Sequence, residues 1–320
     1  MDTFEVVALQ NINKIGPAAV IAIMKYLLIN SKSSILELDL EDVAMIPKLN
    51  KTQKSLLEEN YPLFSELILS ASNEISRIQG LGIDVISIND VQYPKLLKMI
   101  KSPPLILYCK GNLSLLDSLN MVAVVGTREN TEHGKIITQR TVQFLCENDY
   151  TIVSGLAFGI DAIAHQQAID IDGKTIAVLV DVQSIQPSKH TRLASDIVEK
   201  GGLLISENPP GTSIVPALFI KRDRIQSGLS LGVIPIETSI NGGTMHAVKS
   251  AVSEKRIIYV PDYRKSGYKD LGIHQLEGIK SLIDNEVAKP YTKAIYPLIK
   301  SELISNKKSL MTTTEQDSLL

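Results

Sequence analysis

The chain has 320 residues, 44% apolar and 21% charged, with a formal net charge of −2. Those proportions suit an ordinary globular chain long enough for two domains. A charge so near zero excludes a global pull toward nucleic acid or membrane, so any polyanion site must be a local patch.

Residues 1–80 read as a small all-α domain. In "INKIGPAAVIAIMKYLL" the pair Gly16-Pro17 separates two apolar pieces, and Val20, Ile23, Met24 and Leu27 share one helical face. "LDLEDVAMIPKLNKTQKSLLEENY" repeats the pattern more loosely, broken at Pro47. "AAVIAIMKYLLI" is interrupted by Lys25 and falls short of the roughly 20 apolar residues a membrane span needs. "MDTFEVVALQ" lacks a basic leader, so the expected location is the cytoplasm, away from any membrane. The domain junction is expected near residues 75–85.

"GIDVISIND" reads as a short strand, and "YPKLLKMIKSPPLILYCKG" as a helical turn, a Pro-Pro stop and a strand. From Met121 the pattern alternates. "MVAVVG", "YTIVSG", "KTIAVLV", "LLISEN", "LSLGVIPIE" and "KRIIYVP" are apolar strands, with amphipathic helices between most of them. Continuous apolar strands alternating with helices predict a mostly parallel sheet covered on both faces. The expected fold is α/β, a Rossmann-like doubly wound domain over 81–290 preceded by the helical one. The tail, 291–320, carries one short helix and ends in about a dozen residues expected to be disordered. Cys109 and Cys146 sit in apolar contexts and read as small buried hydrophobes. No Cys/His spacing suits zinc, so neither a metal nor a cofactor is expected.

Ligands of open parallel sheets gather beyond the carboxyl ends of the strands. Gly126-Thr127-Arg128 follows the first strand of the alternating run. Gly126 allows a tight turn, Thr127 offers a hydroxyl, and Arg128 supplies a phosphate fork. An ordinary turn with a surface arginine fits the same residues. Ser154-Gly155 follows the next strand, and "LAFGIDAIAH" then offers Asp161 as a helix cap and His165 as a packed helix residue. Gly242-Gly243-Thr244 opens another helix and makes a local phosphate cradle. Glu237 ends the strand before it, but one carboxylate alone is weak ground for acid–base catalysis. "FIKRDRIQSG" packs Lys221, Arg222 and Arg224 around Asp223, beside Phe219. An aromatic next to cations suits a single nucleic-acid strand, while a solvated corner over a core phenylalanine fits equally.

"VAVVGTRENTEHG", "TIVSGLAFGIDAIAH", "GKTIAVL", "ISENPPGT", "LFIKRDRIQSGLSLGVIPIE" and "RIIYVP" together resemble the DNA-processing protein A (DprA/Smf) family in order and register. The resemblance covers 81–285. The segment "INKIGP" also resembles the helix-hairpin-helix or sterile-alpha-motif-like module that leads such proteins. It implies a homodimer that binds single-stranded DNA, loads the RecA recombinase during natural transformation, and catalyses nothing. By the same resemblance the DNA pocket uses Gly126, Thr127, Arg128, Ser154, Gly155, Lys174, Phe219, Lys221, Arg222 and Arg224, with Gly242, Gly243 and Thr244 replacing the family's Ser-Gly-Ser loop.

The chain also departs from the family pattern. Asp223 stands where asparagine is usual, "VDVQS" replaces a Cys-Gly, and Gln186-Pro187-Ser188-Lys189-His190 replaces "YPxxN". The C-terminal winged-helix-like module of many members is expected to be missing. Two other readings stay open: a nucleotide-sensing module of a defence system, and a nucleotide hydrolase of the Lonely-guy type. The second lacks a glutamate at the catalytic spacing after Gly243-Thr244.

Overall fold

The computed structural model describes residues 1–265 and 276–317. The chain packs as two compact units, Met1–Tyr93 with Pro104–Tyr108, and Pro94–Pro103 with everything from Cys109 onward.

The first unit holds α1 (Thr3–Asn11), α2 (Pro17–Ile29), α3 (Leu40–Met45), α4 (Lys51–Asn60) and α5 (Phe64–Gln79), followed by β1 (Asp84–Ser87). Three of these helices start on reciprocal caps. Asp2, Asp39 and Asn50 accept from the third helical N–H, while Glu5, Asp42 and Gln53 reach back to the cap. α2 starts on Gly16 with Pro17 at its first position, where a missing N–H costs nothing. Val6, Val20, Ile23, Leu57 and Ile75 are buried between these helices.

The boundary between units falls after Tyr93 rather than near residue 80. β1 and its turn are held by the helical unit: the Thr3 hydroxyl donates to Ser87 Oγ (3.0 Å), and Ile88 N–H to Leu105 O (2.8 Å). The Tyr93 hydroxyl donates to Pro104 O at 2.6 Å.

The second unit begins with α6 (Lys95–Lys98). It takes the last residues of β2 (Ile106–Gly111), then β3 (Met121–Val125), α7 (Glu132–Glu147), β4 (Thr151–Ser154), α8 (Ile160–Asp170) and β5 (Thr175–Leu179). α9 (Thr191–Glu199), β6 (Leu203–Ser206), α10 (Pro216–Leu229), β7 (Gly232–Pro235), α11 (Thr244–Ser253) and β8 (Ile257–Pro261) follow. α12 (Glu277–Asp284), β9 (Lys289–Tyr291) and α13 (Tyr296–Asp317) complete it.

Its strands run in the order β6-β5-β4-β3-β7-β8-β9. Every neighbouring pair among them is parallel. β3 to β7 are wholly buried, as helices on both faces require. Val122, Val124, Val142, Ile152 and Ile234 belong to the main core. The order reverses between β3 and β7. Successive connections leave in opposite directions there, and a crevice opens beyond the carboxyl ends.

The helix in the tail is longer than expected: α13 runs 22 residues, Tyr296–Asp317. Ile299, Leu303 and Leu310 recur on one face and are buried in the core. Residues 318–320 lie outside the described residues. Cys109 is buried, and burial pushes the half-buried Cys146 thiol up to about 11, which leaves it inert.

Candidate functional site

A cavity of about 990 Å³ opens at the switch point, walled by the loops after β3, β4 and β7 and by α10 and α11. The β3 loop is pinned from both sides. Thr127 N–H donates to Glu237 O (2.7 Å), and Thr127 O accepts from Ile160 N–H (3.2 Å). Gly126 is needed because a Cβ there would lie 2.5 Å from Ile160 Cγ1. Arg128 is left exposed on the cavity rim, with no ion pair among the described residues.

Glu237 is fully buried and already engaged. It accepts from Thr131 N–H (2.9 Å) and from the Thr131 hydroxyl (2.6 Å), fixing the start of α7. Across the crevice Gly242, Gly243 and Thr244 line the cavity, with Gly243 capping α11 and no side chain satisfying the helix start. Unsatisfied N–H groups and the positive end of the helix dipole favour an anion there.

α10 sorts the charge cluster by helical geometry. Positions 219, 222, 223 and 226 share one face, and Phe219, Arg222, Asp223 and Gln226 all line the cavity. Lys221 and Arg224 turn away to Glu207. Arg224 grips that carboxylate with both terminal nitrogens (2.8 and 2.6 Å), and Lys221 Nζ lies 3.4 Å from it. Of the three cations expected in the pocket, only Arg222 lines the cavity.

Arg222 is itself engaged, with 5% exposure. Its Nη2 donates to Gly155 O (3.1 Å), and Nη1 lies 3.2 Å from Asp223 Oδ1. A Cβ on Gly155 would come within 1.8 Å of Nη1, so glycine is what admits the guanidinium. Asp161 accepts from Gly155 N–H at 3.1 Å. It sits in the first turn of α8 rather than at its cap, which is Gly159 at φ 75°. Burial pushes its carboxyl above the usual range, with Arg222 pulling the other way. Burial likewise raises Asp223 to about 6, opposed by Arg222 and reinforced by Asp161. His165 is packed as expected, its Nδ1 2.7 Å from Thr175 Oγ1, and burial lowers it to about 3.

Two expected residues stand elsewhere. Ser154 is fully buried and donates to Val124 O at 2.7 Å, a tie between strands rather than a ligand contact. Lys174 precedes β5 and so lies at the amino ends of the parallel strands, the opposite edge from the cavity. Phe158, His246 and Gln226 line the cavity and were missed. Phe158 is 40% exposed and meets His190 edge-on at 4.8 Å. The carboxyl-end rule alone would have found it, since it follows β4 directly.

The sequence model of a family described as DNA recombination-mediator protein A matches residues 84–299. DNA processing protein DprA of Bacillus subtilis is 34% identical over 207 residues, 64% of this chain and 67% of that protein. The DprA of Streptococcus pneumoniae is 38% identical over 197 residues, 61% of this chain and 69% of that one. Protein Smf of Escherichia coli is 36% identical over 168 residues, 52% of this chain but only 45% of Smf. The X-ray structure of the S. pneumoniae DprA superposes with a TM-score of 0.77 at 28% identity, covering 93% of this chain and 98% of that one. A structure of DNA processing protein A from Helicobacter pylori, described for its single-stranded DNA binding mode, gives 0.60 at 25% identity, covering 68% of this chain and 96% of that one. A family match spanning the whole parallel sheet, with relatives above 30% identity and one fold, has one consequence: this chain belongs to the DNA recombination-mediator protein A family, the DprA/Smf DNA-processing proteins.

Proposed function

We propose that the chain binds single-stranded DNA in the switch-point cavity and, as a homodimer in the cytoplasm, passes the strand to a RecA recombinase. The observation that carries the DNA reading is one cavity joining Arg128, unpaired among the described residues, a helix start with no side-chain cap, and two aromatic rings, Phe158 and Phe219. Cations and N–H groups suit phosphate, and rings suit stacked bases. The H. pylori relative's single-stranded DNA binding supports the same reading. No helix among the described residues is long and apolar enough to cross a membrane.

A nucleotide-sensing role has one observation in its favour: a volume near 990 Å³ also suits a small ligand. Hydrolysis has none, because Glu237 is engaged by Thr131. Fluorescence anisotropy with a labelled dT oligomer, competed by mono- and dinucleotides, separates the first two. A strand binder releases the probe to unlabelled oligomer and holds it against mononucleotide. Preferential displacement by mononucleotide favours a sensor. Sedimentation of the full chain tests the dimer, and pull-down with purified RecA tests the recombinase contact.

A further inference from the structure

Beside Arg222, the α10 wall of the cavity carries two acceptor side chains, Asp223 and Gln226. Asp223 and Gln226 lie side by side on it, Gln226 Nε2 donating to Asp223 Oδ1 at 3.1 Å. Arg222 Nη1 approaches the same Oδ1 at 3.2 Å, so Oδ2 takes neither contact. Gln226 is 1% exposed, and among the described residues its buried Oε1 has no hydrogen-bond partner. A buried acceptor is rarely left unpaired, and a ligand donor can supply the missing bond. Two neighbouring acceptors, one of them a carboxylate, repel phosphate. They call for a group with two adjacent N–H donors.

Among the bases of a DNA strand, guanine offers that pair, at N1 and N2 of its Watson–Crick edge. Thymine brings one N–H flanked by two carbonyl oxygens. Adenine and cytosine bring an amino group beside an acceptor ring nitrogen. Phosphate has its own place across the crevice, at Arg128 and the start of α11. We propose that Asp223 and Gln226 form a base-reading subsite that selects guanine, so that the cavity takes a strand in register with a guanine at that wall. The inference rests on the strand-binding reading. It concerns which base enters, not whether a strand binds.

The test is competition anisotropy on the full chain. A labelled short dT oligomer is displaced by unlabelled dT oligomers of equal length, each carrying one central dG, dA, dC or no substitution. A single guanine avoids self-association of guanine runs. The dG competitor is expected to be about tenfold stronger than all-dT, as a paired carboxylate-to-base contact allows. In Asp223→Asn, which keeps the size and puts a donor on the wall, that advantage should fall below about threefold while all four oligomers still bind. Gln226→Leu, which removes the second acceptor, should narrow it too, and circular dichroism checks that each variant is folded. Equal competition by all four oligomers in the wild-type chain overturns the subsite and leaves strand binding intact. So does a guanine advantage that both folded variants keep. If no oligomer binds the wild-type chain, the strand-binding reading falls and takes the subsite with it.

Discussion

Arg222 lines the switch-point cavity, yet its charge is spent inside the protein, on Gly155 O and Asp223. Among the described residues Arg128 stands at the rim with no ion pair, so Arg128→Ala is the cleaner probe. It should weaken oligo-dT binding and flatten the dependence of log K on log salt by about 0.7, one phosphate's worth for a single strand. An unchanged slope would show that Arg128 meets no phosphate. Arg224→Ala belongs to another category. It strips the two-pronged partner from Glu207, whose side chain is only 7% exposed. The expected outcome is a loss of about 1–3 kcal/mol in urea unfolding with oligo-dT affinity nearly unchanged. Asp223 adds a pH dependence. Burial holds its carboxyl near 6, while Arg222, Asp161, His246 and Gln226 are the charged, titratable or amide groups acting on it. Above that value it carries a negative charge on the wall facing the phosphate site, and below it the charge is gone. Oligo-dT binding should therefore tighten about threefold to tenfold as pH falls from about 7.5 to 5.5. Asp223→Asn should be tight at both ends, measured in a His246→Gln background so that Asp223 is the group changed. A pH slope that survives Asp223→Asn there assigns the effect elsewhere.

At the scale of elements, the sheet was legible because each strand is a continuous apolar run and each helix between them is amphipathic. The loop Gly126-Thr127-Arg128 and the cradle Gly242-Gly243-Thr244 were found for the same reason: a parallel sheet puts every such loop on one edge. Lys174 shows the limit of that logic. It belongs to a strand string but precedes the strand, and a parallel strand's two ends are about 15 Å apart at 3.3 Å per residue. Lys221-Arg222-Asp223-Arg224 shows another limit. Neighbours in sequence are turned roughly 100° apart on a helix, so a dense charge run there cannot form one patch. Glu207, just past β6 and 17 residues before Arg224, draws Lys221 and Arg224 to the side away from the cavity. α13 was underestimated because its apolar residues are sparse, Ile299, Leu303 and Leu310 among polar neighbours. Their burial gives the helix its stability, since propensity alone rarely sustains one. Leu303, at 1% exposure, should therefore be sensitive. Leu303→Ala is expected to cost about 2–5 kcal/mol in urea unfolding, and a cost under about 0.5 would mean α13 is not part of the folding core.

At the scale of the whole molecule, every residue named at the cavity lies in the second unit, and this sets how the chain can be divided. A cut near residue 75, where composition changes, would strand β1 without the helices that bury it, for Ile86 and Ile88 are buried with the first unit. A chain beginning at Pro94 respects the boundary better. It still carries Pro104–Tyr108, which belongs with the lost unit, and there Leu105 and Leu107 are almost wholly buried. Uncovered, they form an exposed apolar patch that invites aggregation. The expected outcome is therefore specific. The chain from Pro94 should be poorly soluble, and the same chain with Leu105→Ser and Leu107→Ser should be soluble. It should then bind oligo-dT within about threefold of the full chain, because each phosphate or stacking contact proposed above is retained. Anisotropy at two salt concentrations reads both affinity and slope. A soluble, folded second unit that has lost all affinity would move the principal DNA site into the helical unit and refute the switch-point cavity as its seat.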